Sequence, residues 1–285
     1  MIFTIENEYV SVSVKKAGAE LNSFKSKETG TEYLWQGNPD IWYGQSPVLF
    51  PIVGTLLNNA YLSDGKEYTL YRHGIARKRD FELKEQGNDY LVLVQRYDDE
   101  TLKSYPFEYE LLIEFRLEGK TLKVTHRVKT LGNKTMYFSI GAHPGFNCKL
   151  GDTLEFEKDE DSLVCEMIDE DSILYDKHFP SPVEGKTFVI GEHVFDKDAY
   201  VLSNLKSKKC TLKNSEANAE IEFTFGDAPF LGLWAKPGAP YVCIEPWYGV
   251  NDSRDKKDDI SNKRAIESVN PGEEFSFSWS ALIRE

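Results

Sequence analysis

The chain has 285 residues, of which 40% are hydrophobic and 13% aromatic, and its formal net charge at pH 7 is −13. This charge argues against nucleic acid and anionic membrane surfaces as partners, because both attract basic proteins. No stretch approaches the ~18 apolar residues of a membrane span, no signal peptide is visible, and the four cysteines are scattered without zinc or disulfide spacing, so we expect a cytoplasmic protein.

The first third of the chain has the apolar patterns of short strands. These patterns predict two strands within 1–14 and further strands at 18–24, 32–35, 60–62 and 67–70. Asp64-Gly65 is a typical hairpin turn between the last two. In the segment 46–54, Pro47 and Pro51 bracket an apolar run, which excludes a helix interior and a central strand. We expect this segment to be an edge strand or a buried irregular loop that lines a site.

The rest of the chain continues the strand pattern. Strands are predicted at 90–96, 108–117, 121–130, 135–140, 154–156, 163–167, 209–212, 219–225, 230–235, 241–245 and 275–283. Their length and spacing predict an all-β fold, a large antiparallel β-sandwich. Residues 99–104 give a weak helical signal, and 251–264 have the composition of a charged, solvated connection. No linker or repeat divides the chain, so we predict a single domain over residues 1–285.

Two histidines lie in segments with restricted backbones. His143 belongs to Gly-Ala-His-Pro-Gly-Phe-Asn at 141–147, and His73 to Arg-His-Gly-Ile-Ala-Arg at 72–77. Small residues, Pro and Gly around a histidine at a strand end leave it little freedom, as expected of a placed acid/base group. The alternative for each is a buried histidine bonded to the backbone. His126, among the charged residues of a predicted strand, is expected at the surface.

Glu245 is the strongest carboxylate candidate. It follows the apolar run 241–244 and precedes a proline, and a carboxylate in this context is seldom exposed. Because burial raises a carboxylate pKa and basic partners lower it, such a group can be tuned as a base. Asp198 is either a ligand-binding group or part of a solvated turn. The basic residues near His73 form either a solvated face or a site for sugar hydroxyls or a phosphate: Arg72, Arg77 and Arg79.

The sequence contains no motif for several common kinds of binding and catalysis. There is no P-loop, no G-x-G-x-x-G fingerprint and no G-x-S-x-G elbow, so nucleotide binding and serine hydrolysis are not predicted. His73, His143 and Glu245 are metal-ligating residue types, but no local motif such as H-E-x-x-H supports a metal. The predicted chemistry is therefore acid/base catalysis without a metal.

The sequence resembles the aldose 1-epimerase (galactose mutarotase-like) family, and within it the bacterial LacX-like branch. The resemblance runs over nearly the whole chain and is carried by the segments 18–21, 34–37, 50–54, 72–77, 142–147, 198–202, 243–247 and 271–273. It implies a β-sandwich of supersandwich type and the interconversion of the α and β anomers of a free sugar. It also implies a small-molecule sugar substrate, no cofactor, and a monomer or homodimer.

The resemblance also implies roles for particular residues. Glu245 matches the family's catalytic base, which takes the proton of the anomeric hydroxyl, and His143 matches the acid that protonates the ring oxygen. His73 matches a second histidine that hydrogen-bonds the sugar, and Asp198 a substrate-binding aspartate. A positioned base and acid contribute ~10²–10⁴-fold each without a metal or cofactor. We expect the productive form to hold an ionised Glu245 and a protonated His143, which predicts a bell-shaped pH profile.

One stretch departs from the family pattern. Sugar-specific mutarotases carry an arginine in the region corresponding to 54–60, and this chain has none there. Arg77 is the candidate to supply that cation, in a motif that also resembles hexose-6-phosphate epimerases. The neutral sugar is favoured by the net charge of −13. The alternatives are a hexose-6-phosphate 1-epimerase, in which the three arginines would converge on one point, and a non-catalytic carbohydrate-binding protein.

Overall fold

The computed structural model describes residues 1–255 and 259–285. In its first half the strands are β1 (Ile2–Glu6), β2 (Val10–Lys15), β3 (Leu21–Ser26), β4 (Val48–Leu49), β5 (Ala60–Ser63), β6 (Lys66–Thr69), β7 (Glu82–Gln86), β8 (Tyr90–Arg96), β9 (Tyr109–Glu118), β10 (Thr121–Thr130), β11 (Met136–Phe138), β12 (Ile140–Ala142) and β13 (Gly145–Asn147). In its second half they are β14 (Thr153–Phe156), β15 (Val164–Met167), β16 (Thr187–Val189), β17 (Tyr200–Ser203), β18 (Lys209–Asn214), β19 (Ala219–Thr224), β20 (Phe230–Trp234), β21 (Tyr241–Tyr248), β22 (Glu267–Val269) and β23 (Phe275–Arg284).

Helical structure is confined to short pieces in the described part of the chain. The α-helix α1 spans Asp99–Ser104, and single 3₁₀ turns occupy Leu57–Asn59, Ala76–Lys78 and Ile260–Asn262. The Asp98 side chain caps α1 by accepting the N–H groups of Glu100 and Thr101. The weak helical prediction at 99–104 is therefore confirmed. None of the helices in the described residues is both long and apolar enough to cross a membrane.

Two large antiparallel sheets make up most of the molecule. The nine-stranded sheet has the order β16-β14-β18-β19-β23-β10-β9-β8-β7, and the seven-stranded sheet has the order β15-β17-β20-β21-β12-β4 with β13 also paired to β21. Aromatic side chains of the two sheets meet in the core: the rings of Phe146 on β13 and Phe223 on β19 lie 5.6 Å apart. The predicted antiparallel β-sandwich is confirmed.

The two sheets differ in how their central strands are buried. In β23 the burial alternates, so that Phe277, Trp279 and Ala281 point inward and the residues between them are more exposed, as expected of a strand with one solvated face. In β21 the seven residues from Tyr241 to Trp247 are all buried. Loops therefore cover the outer face of the seven-stranded sheet, and they create the enclosed space in which the candidate site lies.

The segment 46–54 follows the predicted edge geometry. Within it, β4 pairs with β12 and is the last strand of the seven-stranded sheet, and the residues from Val48 to Gly54 are buried. The Asp64-Gly65 hairpin joins β5 to β6 as predicted. The predicted strand at 32–35 is instead an irregular segment with isolated bridges, and the predicted strand at 135–140 divides into β11 and β12.

One surface prediction is wrong and a second is wrong in part. His126 is only 1% exposed and stacks on Phe277 with ring centroids 4.4 Å apart, because the period of two in β10 places it on the inward face with Val124 and Val128. Within 251–264, Asn251, Asp252 and Lys263 are buried. Lys263 Nζ lies 2.9 Å from Asp252 Oδ1, and this ion pair takes the two charges out of solvent. The positions 256–258 of that prediction lie outside the described residues.

Candidate active site

A cavity of about 370 Å³ lies on the outer side of the seven-stranded sheet. Four of the five predicted site residues line it: His73, Arg77, His143 and Glu245. Its wall is completed by aromatic and apolar side chains that include Trp42, Trp234 and Trp247. A mostly apolar wall with a few convergent polar groups is typical of a small-molecule site.

Glu245 forms the acidic centre of the cavity. It lies in the middle of β21, is 1% exposed, and its Oε1 is 3.3 Å from Nε2 of His143. The indole Nε1 of Trp247 donates a 3.2 Å hydrogen bond to Oε2. Burial raises the pKa of Glu245 well above its usual value, and the Trp247 hydrogen bond and the positive charge of Arg72 oppose this rise. The carboxyl group is thus a proton acceptor that holds its proton more tightly than an exposed glutamate does.

Glycines make room for the Trp247 indole. A Cβ at Gly141 on β12 would lie 2.8 Å from Cδ1 of Trp247, and a Cβ at Gly232 on β20 would lie 2.7 Å from its Cζ2. Both approaches are closer than carbon atoms tolerate, so any larger residue at either position would displace the ring. The two flanking strands therefore fix the donor that orients the Glu245 carboxylate.

His143 lies between β12 and β13 and is held by aromatic rings. Trp42 stacks on it with ring centroids 5.1 Å apart, and Trp234 meets it edge-on at 5.7 Å. Burial lowers the pKa of His143 to about 3, and the charges of Arg72 and Arg77 act in the same direction. The imidazole is therefore neutral at physiological pH.

The raised pKa of Glu245 and the lowered pKa of His143 together describe a pair of side chains that shares one proton. Both directions favour the uncharged arrangement, in which Glu245 is protonated and the imidazole of His143 is neutral, with Oε1 and Nε2 3.3 Å apart. Moving this proton from Oε1 to Nε2 gives an ionised Glu245 and a protonated His143 without changing the number of bound protons. The form expected from the sequence is thus a tautomer of the favoured one, reached across the 3.3 Å contact.

His73 is held in a left-handed backbone conformation, with φ of +63°, which is unusual for a non-glycine residue and is concentrated at functional sites. Its Nδ1 accepts the backbone N–H of Gly54 at 3.2 Å, while the Nε–H of Arg72 is placed to donate to its Nε2 at 3.3 Å. Burial lowers the pKa of His73 well below 6.5. A neutral imidazole accepts at one nitrogen only, and the Gly54 amide is fixed whereas the Arg72 side chain can rotate. We therefore assign the proton to Nε2.

The three arginines separate into two groups. Arg72 and Arg77 line the cavity, whereas Arg79 pairs with Asp98. Arg77 donates from Nη2 to the carbonyl oxygen of Arg72 at 3.1 Å, and its buried Nε has no hydrogen-bond partner among residues 1–255 and 259–285. The three guanidinium groups thus do not converge on one point.

Asp198 lies at the border of the site. Its φ is +73°, its Oδ1 accepts the N–H of Ala199 at 2.8 Å, and it lines a second cavity next to the first. Ala199 lines the first cavity, and the charge of Asp198 contributes to the raised pKa of Glu245. The fold therefore brings all five predicted site residues into one neighbourhood, although Asp198 faces the adjoining space.

Several cavity residues were not predicted as site residues. Trp42 and Trp234 gave no signal beyond the general abundance of aromatic residues, and Asn251 lies in the segment that was predicted to be solvated. The Asn251 side chain donates to the carbonyl oxygen of Ser172 at 2.8 Å, and its Oδ1 is buried without a partner in the described chain. It also occupies the space beside Gly54, where a Cβ would lie 2.1 Å from its carboxamide carbon.

One group of side chains has the spacing of metal ligands. Among the residues that the structure describes, the ligand atoms of His143, Cys243 and Glu245 lie within 4.8 Å of one another, and all three residues are buried. The direct contact between His143 and Glu245 is also the geometry of proton exchange between an acid and a base.

Comparison with known proteins places the chain among sugar epimerases. The family model for aldose 1-epimerase matches residues 1–278. The plasmid-encoded protein LacX of Lactococcus lactis subsp. lactis is 32% identical over 298 residues, which cover 99% of both chains.

Solved structures with the same fold include two from lactobacilli. A galactose mutarotase related enzyme from Lactobacillus acidophilus has a TM-score of 0.93 and 32% identity, over 100% of this chain and 98% of its own. A galactose mutarotase-like protein from Lactobacillus casei has a TM-score of 0.94 and 27% identity, over 100% of both chains.

Proposed function

The chain belongs to the aldose 1-epimerase family, and we propose that it interconverts the α and β anomers of a free aldohexose by general acid/base catalysis. The observation that carries this proposal is the 3.3 Å contact between His143 Nε2 and Glu245 Oε1 at the wall of the cavity. We further propose that residues 1–285 act as one domain, because the site draws on segments from Trp42 to Asn251.

In the proposed reaction each proton has a defined origin and destination. Glu245, in its ionised form, takes the proton of the anomeric hydroxyl, and His143, in its protonated form, gives a proton to the ring oxygen as the C1–O5 bond breaks. The resulting aldehyde rotates about the C1–C2 bond. The hydroxyl at C5 then attacks the other face of C1, returns its proton to His143, and the new anomeric oxygen recovers a proton from Glu245. Two side chains supply both transfers, so the proposed reaction needs no metal or cofactor.

The other predicted residues support binding and orientation in this proposal. His73 donates from Nε2 to a sugar oxygen near the reacting centre once Arg72 moves aside, because its Nδ1 is occupied by Gly54. Asp198 accepts hydrogen bonds from sugar hydroxyl groups at the border of the cavity. Arg77 offers its Nε, which has no hydrogen-bond partner in the described part of the chain, to a sugar oxygen. These contacts hold the sugar so that C1 and the ring oxygen face the catalytic pair.

We place a neutral aldohexose before its 6-phosphate because the three arginines do not converge: Arg79 is paired with Asp98. The 6-phosphate remains the second candidate, since Arg72, Arg77 and Lys236 all line the cavity and a guanidinium can bind phosphate in a bidentate manner. The third candidate function is sugar binding without turnover.

Polarimetry of freshly dissolved α-D-glucose and α-D-galactose tests the proposal, with the same measurement on α-D-glucose 6-phosphate. We expect a faster approach to anomeric equilibrium for a neutral sugar than in buffer alone. Acceleration of the 6-phosphate only would establish the second candidate. Measurable sugar binding without acceleration of any of the three would contradict catalysis and support the binding protein.

A further inference from the structure

The arginines of this protein differ in whether they have a carboxylate partner. Those outside the catalytic cavity each form an ion pair with an aspartate or a glutamate: Arg79, Arg96, Arg116, Arg127, Arg254, Arg264 and Arg284. Arg72 and Arg77, which line the cavity, have no such partner among residues 1–255 and 259–285. The chain carries 47 Asp and Glu residues, so the lack of a partner is a property of the site.

The two cavity arginines contact neutral groups instead. Arg72 approaches Nε2 of His73 through its Nε and Oγ of Ser172 through its Nη1, both at 3.3 Å. Arg77 donates from Nη2 to the carbonyl oxygen of Arg72 at 3.1 Å. The contacts of Arg72 are longer than the ~2.7–2.9 Å of a guanidinium bound to a carboxylate. Arg72 therefore keeps donor capacity for an anionic group of a ligand.

The wall of the catalytic cavity carries an excess of positive charge. Lys236 lines it together with the two arginines, and Glu245 is the only carboxylate in the wall among the residues that the structure describes. Glu245 shares its proton with His143. Charges more than about 8–10 Å away are largely screened at physiological ionic strength, so the cations of the wall outweigh the net charge of −13 for a bound ligand. Such a wall favours a ligand with an anionic group.

The position of the arginines matches the C6 substituent of a pyranose. In the proposed reaction His143 faces the ring oxygen, which is bonded to C5, and C6 is attached to C5. A group on C6 therefore lies close to His143. The rings of His143 and His73 have centroids 5.7 Å apart, and Arg72 reaches the Nε2 side of His73. A planar carboxylate needs a single guanidinium fork, so it does not require several arginines to converge as a phosphate dianion does.

We propose that the protein also interconverts the anomers of hexuronic acids, whose C6 carboxylate binds the guanidinium group of Arg72. This inference rests on the proposed epimerase function and adds a substrate class to it. When Arg72 turns toward the carboxylate, its Nε–H leaves Nε2 of His73, and His73 becomes free to donate to a sugar oxygen. Glu245 and His143 transfer the same two protons as with a neutral sugar. No bond of the carboxylate is made or broken.

The test compares D-glucuronate with D-glucose, and D-galacturonate with D-galactose, by polarimetry at neutral pH. We expect kcat/KM for at least one uronate to exceed that for its parent hexose roughly tenfold, the gain expected from one charge-assisted hydrogen bond. Arg72→Gln should bring the ratio of the two values close to one, whatever it does to the turnover of either sugar. Arg72→Lys keeps the charge and loses the fork, so it should retain part of the preference.

Arg79→Gln is the matched control, because Arg79 is paired with Asp98 outside the cavity and its loss should leave the ratio unchanged. The inference fails if the parent hexoses are accelerated and neither uronate is preferred, or if Arg72→Gln keeps the wild-type ratio. A preference for α-D-glucose 6-phosphate alone that Arg72→Gln removes would assign the cations to phosphate and reject the carboxylate.

Acceleration of no sugar at all would contradict the proposed function instead, and calorimetric titration with the same sugars then decides the anion site. Tighter binding of a uronate than of its parent hexose, lost in Arg72→Gln and kept in Arg79→Gln, would support the site. Equal binding of the two sugars would reject it.

Discussion

Two buried histidines of this protein have similarly lowered pKa values and different neighbours. Burial lowers the pKa of both His126 and His143 to about 3. His126 lies in the nine-stranded sheet, where its cross-strand partners are Ile113 and Phe277. His143 lies between two strands of the seven-stranded sheet, 3.3 Å from the carboxylate of Glu245. A perturbed pKa is therefore a sign of burial in both cases. Within residues 1–255 and 259–285, of these two histidines only His143 has a carboxylate in contact with which to exchange a proton.

The two sheets differ in whether a central strand has one face in solvent. The nine-stranded sheet leaves one face of β23 to solvent, so its inward residues serve packing. The seven-stranded sheet buries both faces of β21. Its covered outer face encloses the carboxylate of Glu245, although burying such a group costs free energy and packing alone would not require it. The buried pair of Glu245 and His143 lies where loops exclude water and where the other side chains of the cavity wall can hold a ligand.

The largest expected effect comes from removing the carboxylate of the pair. Glu245→Gln should lower kcat by ~10²–10⁴-fold, because an amide cannot accept the anomeric proton. Sugar binding should persist, since glutamine has the same size and its carbonyl oxygen can still accept from Trp247. Polarimetry measures kcat, and calorimetric titration measures the binding.

The control for this change is Glu166→Gln. Glu166 is also buried, on β15 of the same sheet, but it forms a two-pronged ion pair with Arg264 at 2.7 Å. This variant should lose stability and keep turnover. Full activity in Glu245→Gln would end the proposed mechanism.

The histidines can be compared directly by the same substitution. His143→Asn should lower kcat by ~10²–10⁴-fold, because it removes the acid that protonates the ring oxygen. His126→Asn should keep turnover and lower the free energy of unfolding by about 1–3 kcal/mol, since the stacking on Phe277 is lost inside the core. Rates by polarimetry and unfolding in urea separate the two effects. Wild-type turnover in His143→Asn would assign the acid to another group.

The pH dependence of turnover sharpens the description of the pair. The active form holds one proton in total, so activity is lost when the pair gains a second proton or loses its only one. Because burial lowers the pKa of His143 to about 3, the acid limb of the bell should lie far below the ordinary histidine value of about 6.5. We expect kcat/KM at pH 5 to remain close to its value at pH 7. An acid limb centred near 6.5 would show that His143 titrates as an exposed histidine.

The last predicted effect concerns stability in acid and arises from the nine-stranded sheet. Between pH 6.5 and about 3, the unfolded chain binds a proton at His126 that the folded chain excludes. The free energy of unfolding should therefore fall by about 1.4 kcal/mol per pH unit from this residue as the pH is lowered. His126→Phe should reduce the slope of stability against pH by this amount, measured by urea unfolding from pH 7 to pH 4. An unchanged slope would mean that His126 takes up its proton while the protein is folded.

The sequence alone determined most of the long strands and the candidate chemistry. The alternation of β23 and the Asp64-Gly65 turn are local patterns, and they predicted strand positions to within a few residues. His73, His143 and Glu245 were identified by their Gly, Pro and apolar neighbours and by a family resemblance, all of which are visible along the chain. Periodicity and turn chemistry depend on near neighbours, so they can be derived without knowing the fold.

Only the tertiary structure decided which of these groups meet and which side chains are buried. His126 was assigned to the surface because its sequence neighbours are charged, but burial depends on which face of β10 meets the other sheet. Asn251 and Lys263 belong to a charged segment that the fold buries with Asp252. The two adjoining cavities arise from loops distant in sequence. Such contacts depend on long-range packing of the chain, and no local pattern of residues records them.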